Sequence, residues 1–164
     1  MESMSGHGSA SAGNSQPRVV VGVDPSDEAR AALEWALLYA ARLAASVDVV
    51  HGWQSEREYV WLNAVPAPDD PTGTARQAVE KLVADARTAT AIDEGKVPVT
   101  IHVIEGRPVR ILLDQGQGAD LLVLGSRGHG GFAGLLLGSV STECATHAPC
   151  SVTIVRPGPQ DPDR

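Results

Sequence analysis

The chain has 164 residues, of which 43% are apolar, so it suits one globular domain with a hydrophobic core better than two domains. Its 13 basic and 20 acidic residues give a formal net charge of −7, which disfavours binding to nucleic acid or to an anionic membrane surface, because both require extended positive charge. No uncharged stretch reaches the roughly 18 residues that span a bilayer, so we expect a cytoplasmic protein.

The first predicted elements follow an amino-terminal segment rich in glycine, serine and alanine. That segment has no apolar run, so residues 1–17 are predicted to be a disordered tail without a signal peptide. A β-branched run predicts the first strand over 18–24. Apolar residues then recur at helical spacing over 27–45, where Ser26 or Asp27 can cap the helix.

The next two elements are separated by an unusually long connection. A second strand is predicted over 47–53 and a second helix over 72–91. Between them, the loop from Gln54 to Pro71 contains Tyr59 and Trp61 and exceeds the 2 to 6 residues usual in α/β units. This loop is interpreted either as a lid or as a flexible insertion.

The remaining elements continue the alternation of strand and helix. They are a strand over 98–105, a helix over 107–115, a strand over 119–125, a helix over 139–148, a strand over 151–157 and a polar tail over 158–164. Alternating strands and helices predict an α/β fold with a single doubly wound parallel sheet of five strands, in the order 3-2-1-4-5, and helices on both faces. The chain reverses direction between the first and fourth strands, so Asp24 and Gly125 are expected to meet at a ligand crevice.

A glycine-rich motif follows the fourth strand. The segment GSRGHGGFAGLLLGS, from Gly125 to Ser139, has the spacing G-x-x-G-x9-G-S. Glycine tolerates positive φ and leaves backbone N–H groups uncovered, so we interpret Gly125, Gly128 and Gly138 as parts of a phosphate-binding loop. The helix after Gly138 would direct unpaired N–H groups and a positive dipole end at the same anion.

With this motif after the fourth strand, a short helix and a terminal VTIVRP strand, the chain from Val19 to Pro157 resembles the nucleotide-binding branch of the universal stress protein family. The opening VGVDPSDEA is similar to the start of that family's domain. The resemblance implies an adenine nucleotide alpha-hydrolase-like fold over 18–157 and binding of ATP, with AMP and cyclic AMP as alternatives. It also implies a role in regulation or in the stress response.

The same resemblance implies a set of site residues. Asp24 would lie beside the ribose or a phosphate-bound Mg²⁺, and backbone groups of Val23 and Gly52 would line the adenine. The amides of Gly125, Arg127, Gly128, Gly138 and Ser139 would hold the phosphates. The other candidates at that end are Leu124, His129, Val140 and Ser141.

Some side-chain roles stay open from the residues themselves. Asp24 could contact the ligand, cap the first helix, or do both. Arg127 could meet a phosphate or be solvated, and His129 could face the solvent. Trp53 could lie near the base or pack against the sheet. The two cysteines, Cys144 and Cys150, match neither a redox pair nor a zinc site and are interpreted as reduced structural thiols.

Specific residues argue against several competing functions. A P-loop requires Gly-Lys-Ser/Thr, but the only lysines are Lys81 and Lys96. The run Gly128 to Ala133 fits a dinucleotide fingerprint but lacks the acidic residue about 20 positions later, and no G-x-S-x-G elbow exists. No catalytic residue is assigned. A slow Mg²⁺-dependent ATPase or phosphotransferase using Asp24, and a nucleotide-free dimeric scaffold, stay as alternatives.

The last strand is predicted to lie at an edge of the sheet. Its unpaired backbone groups could pair with another chain, so a homodimer through Ser151 to Arg156 is expected.

Overall fold

The computed structural model describes residues 16–54, 70–128 and 136–158. Every predicted helix and strand is present, with its ends shifted by a few residues at most. The strands are β1 (Arg18–Gly22), β2 (Ser46–Trp53), β3 (Val99–Glu105), β4 (Leu121–Gly125) and β5 (Ser151–Val155). The helices are α1 (Asp27–Leu43), α2 (Pro71–Thr90), α3 (Pro108–Gln115) and α4 (Ser139–His147).

The five strands form one parallel sheet in the order β3-β2-β1-β4-β5, which confirms the predicted topology. β1 is the central strand, and its Val20 pairs in register with Asp48 of β2 and Leu122 of β4. Because both faces of such a sheet are covered, its inner strands are almost continuously apolar, as RVVVG and LLVLG are.

Two layers of helices bury the two faces of the sheet. Val19 and Val21 of β1 pack with α1 and α2 on one face, and Val20 packs with α3 and α4 on the other. This alternation follows from the period of two along a strand. The helices that follow β1 and β4 therefore leave the sheet on opposite faces, which opens a crevice between the carboxyl ends of these strands.

Side chains cap the amino ends of α1 and α2, at Ser26 and Asp70, and two residues at helix carboxyl ends are strained. Ser26 is the N-cap of α1, since its hydroxyl accepts a hydrogen bond from the Ala29 N–H at 3.1 Å. At the other ends, Ala44 after α1 and Ala91 after α2 have left-handed backbones, with φ of 52° and 53°. Glycine is the usual residue at such positions, because its lack of a β-carbon removes the steric penalty.

The last two residues of the predicted amino-terminal tail are held against the domain. The Gln16 side-chain amide donates to the Ala44 carbonyl at 2.9 Å, and the Ser46 N–H donates to the Pro17 carbonyl at 2.9 Å. The described structure therefore begins slightly before the expected domain boundary. The rest of that tail, residues 55–69 of the long loop, and residues 159–164 lie outside the described residues.

Both cysteines are free, in agreement with the interpretation as reduced thiols. Burial raises the pKa of the Cys144 thiol to about 11, so this group stays protonated at neutral pH inside the layer around α4. Within the part of the chain that the structure describes, no helix has the length and apolar character needed to cross a bilayer.

Candidate functional site

A cleft of about 520 Å³ opens at the carboxyl ends of β1 and β4. Every predicted site residue in the described part of the chain lines it, and His129 lies outside that part. The predicted residues in the lining are Val23, Asp24, Gly52, Leu124, Gly125, Arg127, Gly128, Gly138, Ser139, Val140 and Ser141. The parallel sheet thus brings together three segments that are distant in the sequence.

Part of the apolar wall was not predicted from the sequence. Gly22, Ala29, Val50, Pro108 and Leu112 also line the cleft. A signal existed at Gly22, because a glycine inside an apolar strand marks a close approach of another group. A β-carbon at Gly22 would lie 2.6 Å from Leu124 Cδ2 and 2.9 Å from Leu112 Cδ2.

Backbone groups form the wall made by β1 and β2. The Val23 N–H donates to the Val50 carbonyl at 2.9 Å, so this amide is already used. The Val23 carbonyl lies 2.9 Å from His51 Nδ1, a contact that requires the Nδ1–H tautomer and leaves one carbonyl lone pair. Val23 can therefore offer an acceptor to a ligand, but its amide is not available as a donor.

Gly52 offers both kinds of backbone group. The Gly106 N–H donates to the Trp53 carbonyl at 2.7 Å, so the peptide groups of Trp53 face β3. In a parallel ladder successive residues face opposite neighbours, which directs the Gly52 N–H and carbonyl to the β1 side. There β1 has already ended, because its pairing with β2 stops at Gly22 and Val50.

Trp53 itself is not part of the cleft lining. Its indole Nε1 is buried and has no hydrogen-bond partner among the described residues. Of the two roles considered for Trp53, a contact with the base is therefore not supported by the geometry.

Asp24 lies between the start of α1 and the glycine-rich loop that begins at Gly125 and contains Gly128. Its Oδ1 accepts hydrogen bonds from the Ser26 N–H at 3.0 Å and from the Ser26 hydroxyl. Asp24 is thus not the helix cap; it positions Ser26, which is. Its Oδ2 lies against Gly128, where a β-carbon would be only 2.5 Å from this oxygen. The carboxylate therefore stands at the edge of the glycine-rich loop.

The reason for the glycines differs from the one that the sequence suggested. Among the described glycines, only Gly106 and Gly118 have positive φ, so positive φ does not explain the glycine motif. Gly125 is required by close packing, since its β-carbon would lie 2.8 Å from the carbonyl carbon and oxygen of Glu28. Gly128 makes room for Asp24 in the same way.

The amino end of α4 opens onto the cleft without a side-chain cap. Its N-cap is Gly138, and the N–H groups of Ser139 and Val140 in the first turn have no intrahelical acceptor. Together with the helix dipole, such groups favour an anion. The Gly138 N–H instead donates to the Ser126 carbonyl at 2.8 Å, so this amide already has an acceptor within the protein.

Ser141 also has a different use from the one expected. Its buried hydroxyl donates to the Gly125 carbonyl at 2.7 Å. This hydrogen bond joins α4 to the carboxyl end of β4 and gives the last carbonyl of that strand a donor. Ser139 is therefore the hydroxyl at this helix end that keeps a donor for a ligand.

Arg127 is paired with a carboxylate and is also partly exposed to solvent. Its Nη2 lies 3.3 Å from Glu28 Oε1, in the first turn of α1. Within the described lining of the cleft, Arg127 is the only cation and Asp24 the only anion. The attraction for phosphate therefore has to come mainly from backbone N–H groups.

The described residues alone do not form a binding site for a divalent cation in this cleft. The described residues contain no group of three or more histidine, cysteine, aspartate or glutamate side chains that could hold a metal. Asp24 supplies a single carboxylate, which fits Mg²⁺ carried on phosphates, since this ion is usually bound by one or two carboxylates, phosphate oxygens and water.

Comparison with known proteins gives consistent results. Residues 17–156 match the sequence model of the universal stress protein family. Universal stress protein Rv2623 of Mycobacterium tuberculosis is 32% identical over 150 residues, which are 88% of this chain and 49% of that protein. The chain thus spans about half the length of this mycobacterial relative.

A shorter relative and a solved structure are covered almost completely. A universal stress protein of Thermus aquaticus is 30% identical over 140 residues, covering 84% of this chain and 97% of that protein. The crystal structure of a universal stress protein in complex with cAMP is 26% identical, with a TM-score of 0.61, and covers 86% of this chain and 97% of that one.

Proposed function

Since the chain belongs to the universal stress protein family, we propose that its cleft binds an adenine nucleotide that regulates the protein's conformation or its affinity for partners. The observation that carries the proposal is the uncapped amino end of α4, which faces the same cleft as Gly52 and Val23. The structural relative with bound cAMP supports an adenine nucleotide as the ligand. ATP is the ligand implied by the family resemblance, with AMP and cyclic AMP as alternatives.

A base and a phosphate fit the two ends of this cleft. At the β2 end, Gly52 presents a donor and an acceptor, and Val23 presents an acceptor, which together suit the edge of a purine. At the other end, the α4 amides and the Ser139 hydroxyl suit a phosphate. Asp24 also belongs to the lining, and a carboxylate suits a ribose hydroxyl or Mg²⁺ carried by the nucleotide.

Binding is better supported than catalysis. Phosphoryl transfer requires placed cations and a group that orients the nucleophile. The only cation in the described lining is Arg127, and Glu28 already neutralises it. A nucleotide would therefore act by binding two states of the protein with different affinity.

Native mass spectrometry of protein purified without added nucleotide tests this proposal. We expect an added mass equal to that of one adenine nucleotide per chain, released when the protein is denatured. Isothermal titration of the stripped protein with ATP, AMP and cyclic AMP supplies the affinity. If neither method detects an adenine nucleotide at millimolar concentration, the proposed function is refuted.

We also propose that β5 forms a homodimer contact. β5 is an edge strand of the sheet. The Ser126 N–H donates to the Val155 carbonyl at 2.8 Å, so the peptide groups of Val152 and Ile154 face away from β4 by alternation. Such outward groups can pair with the same strand of a second copy. A cytoplasmic location stays a prediction.

Sedimentation equilibrium tests the dimer contact. At micromolar concentration we expect twice the mass of the chain for the wild type. Ile154→Pro removes one outward N–H and should shift the species to the monomer, because proline is tolerated on an edge but cannot donate. A wild type that sediments only as a monomer would contradict this contact.

A further inference from the structure

The charges around the glycine-rich loop after β4 are arranged in an unexpected way for a site proposed to bind an anion. Arg127 is in the loop itself, but its guanidinium is 3.3 Å from the Glu28 carboxylate. Asp24 Oδ2 lies against Gly128 of the same loop. The cation of the loop is therefore already paired, beside the amides that would bind phosphate.

Packing keeps Glu28 beside Arg127. The Glu28 backbone lies against Gly125, with its carbonyl carbon and oxygen 2.8 Å from where a β-carbon would be. Its side chain is only 19% exposed, whereas that of Arg127 is 45% exposed. The carboxylate is therefore held in place at the end of β4, and Arg127 reaches over to it.

The positive field that remains is small. The amino end of a helix is equivalent to about half a positive charge, and it weakens within the first turn. This field suits a single phosphate. Among the described residues of the lining, further phosphates would meet no cation other than Arg127, which is already paired with Glu28.

We propose that Glu28 determines which nucleotides the cleft accepts, by neutralising Arg127. Nucleotides with one phosphate bind without metal, whereas a triphosphate binds well only when a divalent cation offsets its charge. This inference rests on the proposed function, because it concerns the same cleft. It assigns Glu28 a specificity role although Glu28 is not in the described lining of the cleft.

Glu28→Gln tests the inference, since glutamine keeps the shape of the side chain but not its charge. Asp27→Asn is the matched control. It removes one negative charge from the adjacent residue of the same first turn, and Asp27 neither pairs with Arg127 nor lines the cleft. Affinities for cyclic AMP, AMP and ATP are measured by isothermal titration, in Mg²⁺ and in EDTA.

For the wild type we expect ATP to bind about tenfold more weakly in EDTA than in Mg²⁺, and cyclic AMP to bind equally in both. Glu28→Gln should raise the affinity for ATP in EDTA by about tenfold, the gain of one charge-assisted hydrogen bond, because the freed Arg127 guanidinium can then reach a phosphate of the ligand. Cyclic AMP should gain less than about threefold, since its single phosphate already meets the amides of α4. Asp27→Asn frees no guanidinium and should change either affinity by less than about threefold, the effect of losing one distant, screened charge.

A double-mutant cycle shows whether Glu28 acts through Arg127. In an Arg127→Gln background, the gain from Glu28→Gln for ATP should shrink markedly, because the freed guanidinium is no longer there. Equal effects of Glu28→Gln and Asp27→Asn would overturn this inference while leaving nucleotide binding intact. Absence of binding for every nucleotide and variant would refute the proposed function itself, and this inference with it.

Discussion

Gly138→Val is expected to weaken nucleotide binding strongly while the protein stays folded. A β-carbon at Gly138 would lie 3.4 Å from Arg127 Cα and 3.6 Å from the Gly128 nitrogen. These are ordinary contacts, so the first carbon fits, but the two methyl groups of valine extend from it into the gap between the loop and α4. They would cover the amides proposed to meet the phosphate.

We expect the affinity for an adenine nucleotide to fall about 100-fold, the equivalent of two charge-assisted hydrogen bonds. The backbone of Gly138, with φ of −74° and ψ of 166°, is extended, and valine adopts this conformation readily. The fold should therefore survive. Isothermal titration measures the loss, and circular dichroism measures the helix content.

Gly95→Val is the matched control for this substitution. Gly95 is exposed, and the nearest atom to its β-carbon position is Asp93 Oδ1 at 3.6 Å. This variant should bind nucleotide like the wild type. If Gly138→Val also retained full affinity, the phosphate site would not be at the amino end of α4.

Gly125→Ala is expected to lower the free energy of unfolding by about 2 to 3 kcal/mol, the upper part of the range for overpacked cores. The new methyl group would lie 2.8 Å from three Glu28 atoms, two of which belong to the backbone. Backbone atoms cannot relieve such a clash by a change of rotamer, as a flexible side chain can. The amino end of α1 would have to move away from β4, so nucleotide affinity should fall as well.

Urea denaturation followed by circular dichroism measures this change, with Gly95→Ala as the control at an open position. A stability within about 0.5 kcal/mol of the wild type, the scatter of ordinary surface substitutions, would show that α1 does not press on β4 at Gly125.

The fold could be predicted because its signals are local. Each strand of a parallel sheet covered on both faces is a short apolar run, and α1 shows its period through residues such as Leu33 and Leu37, both fully buried. Alternation of strands and helices then leaves few topologies. The positions of the site residues followed from the strand order, which brings Asp24 beside Gly128.

The chemistry of the site was harder to predict, because it depends on contacts between distant segments. Nothing in the sequence near Arg127 indicates that it pairs with Glu28, which belongs to α1. The Gly138 amide and the Ser141 hydroxyl looked like ligand donors, but tertiary packing gives each of them a carbonyl. For Gly125, the sequence correctly indicated a special position and wrongly indicated the backbone angle as its cause.

The left-handed alanines after α1 and α2 have a consequence for how this chain can evolve. Each of them bears a conformational strain of about 1 to 2 kcal/mol that a residue without a side chain would not have. The sequence is therefore not at its thermodynamic optimum, and compensating changes far from the cleft are within easy reach. Variants that alter the ligand preference at some expense in stability could be rescued at these two turns.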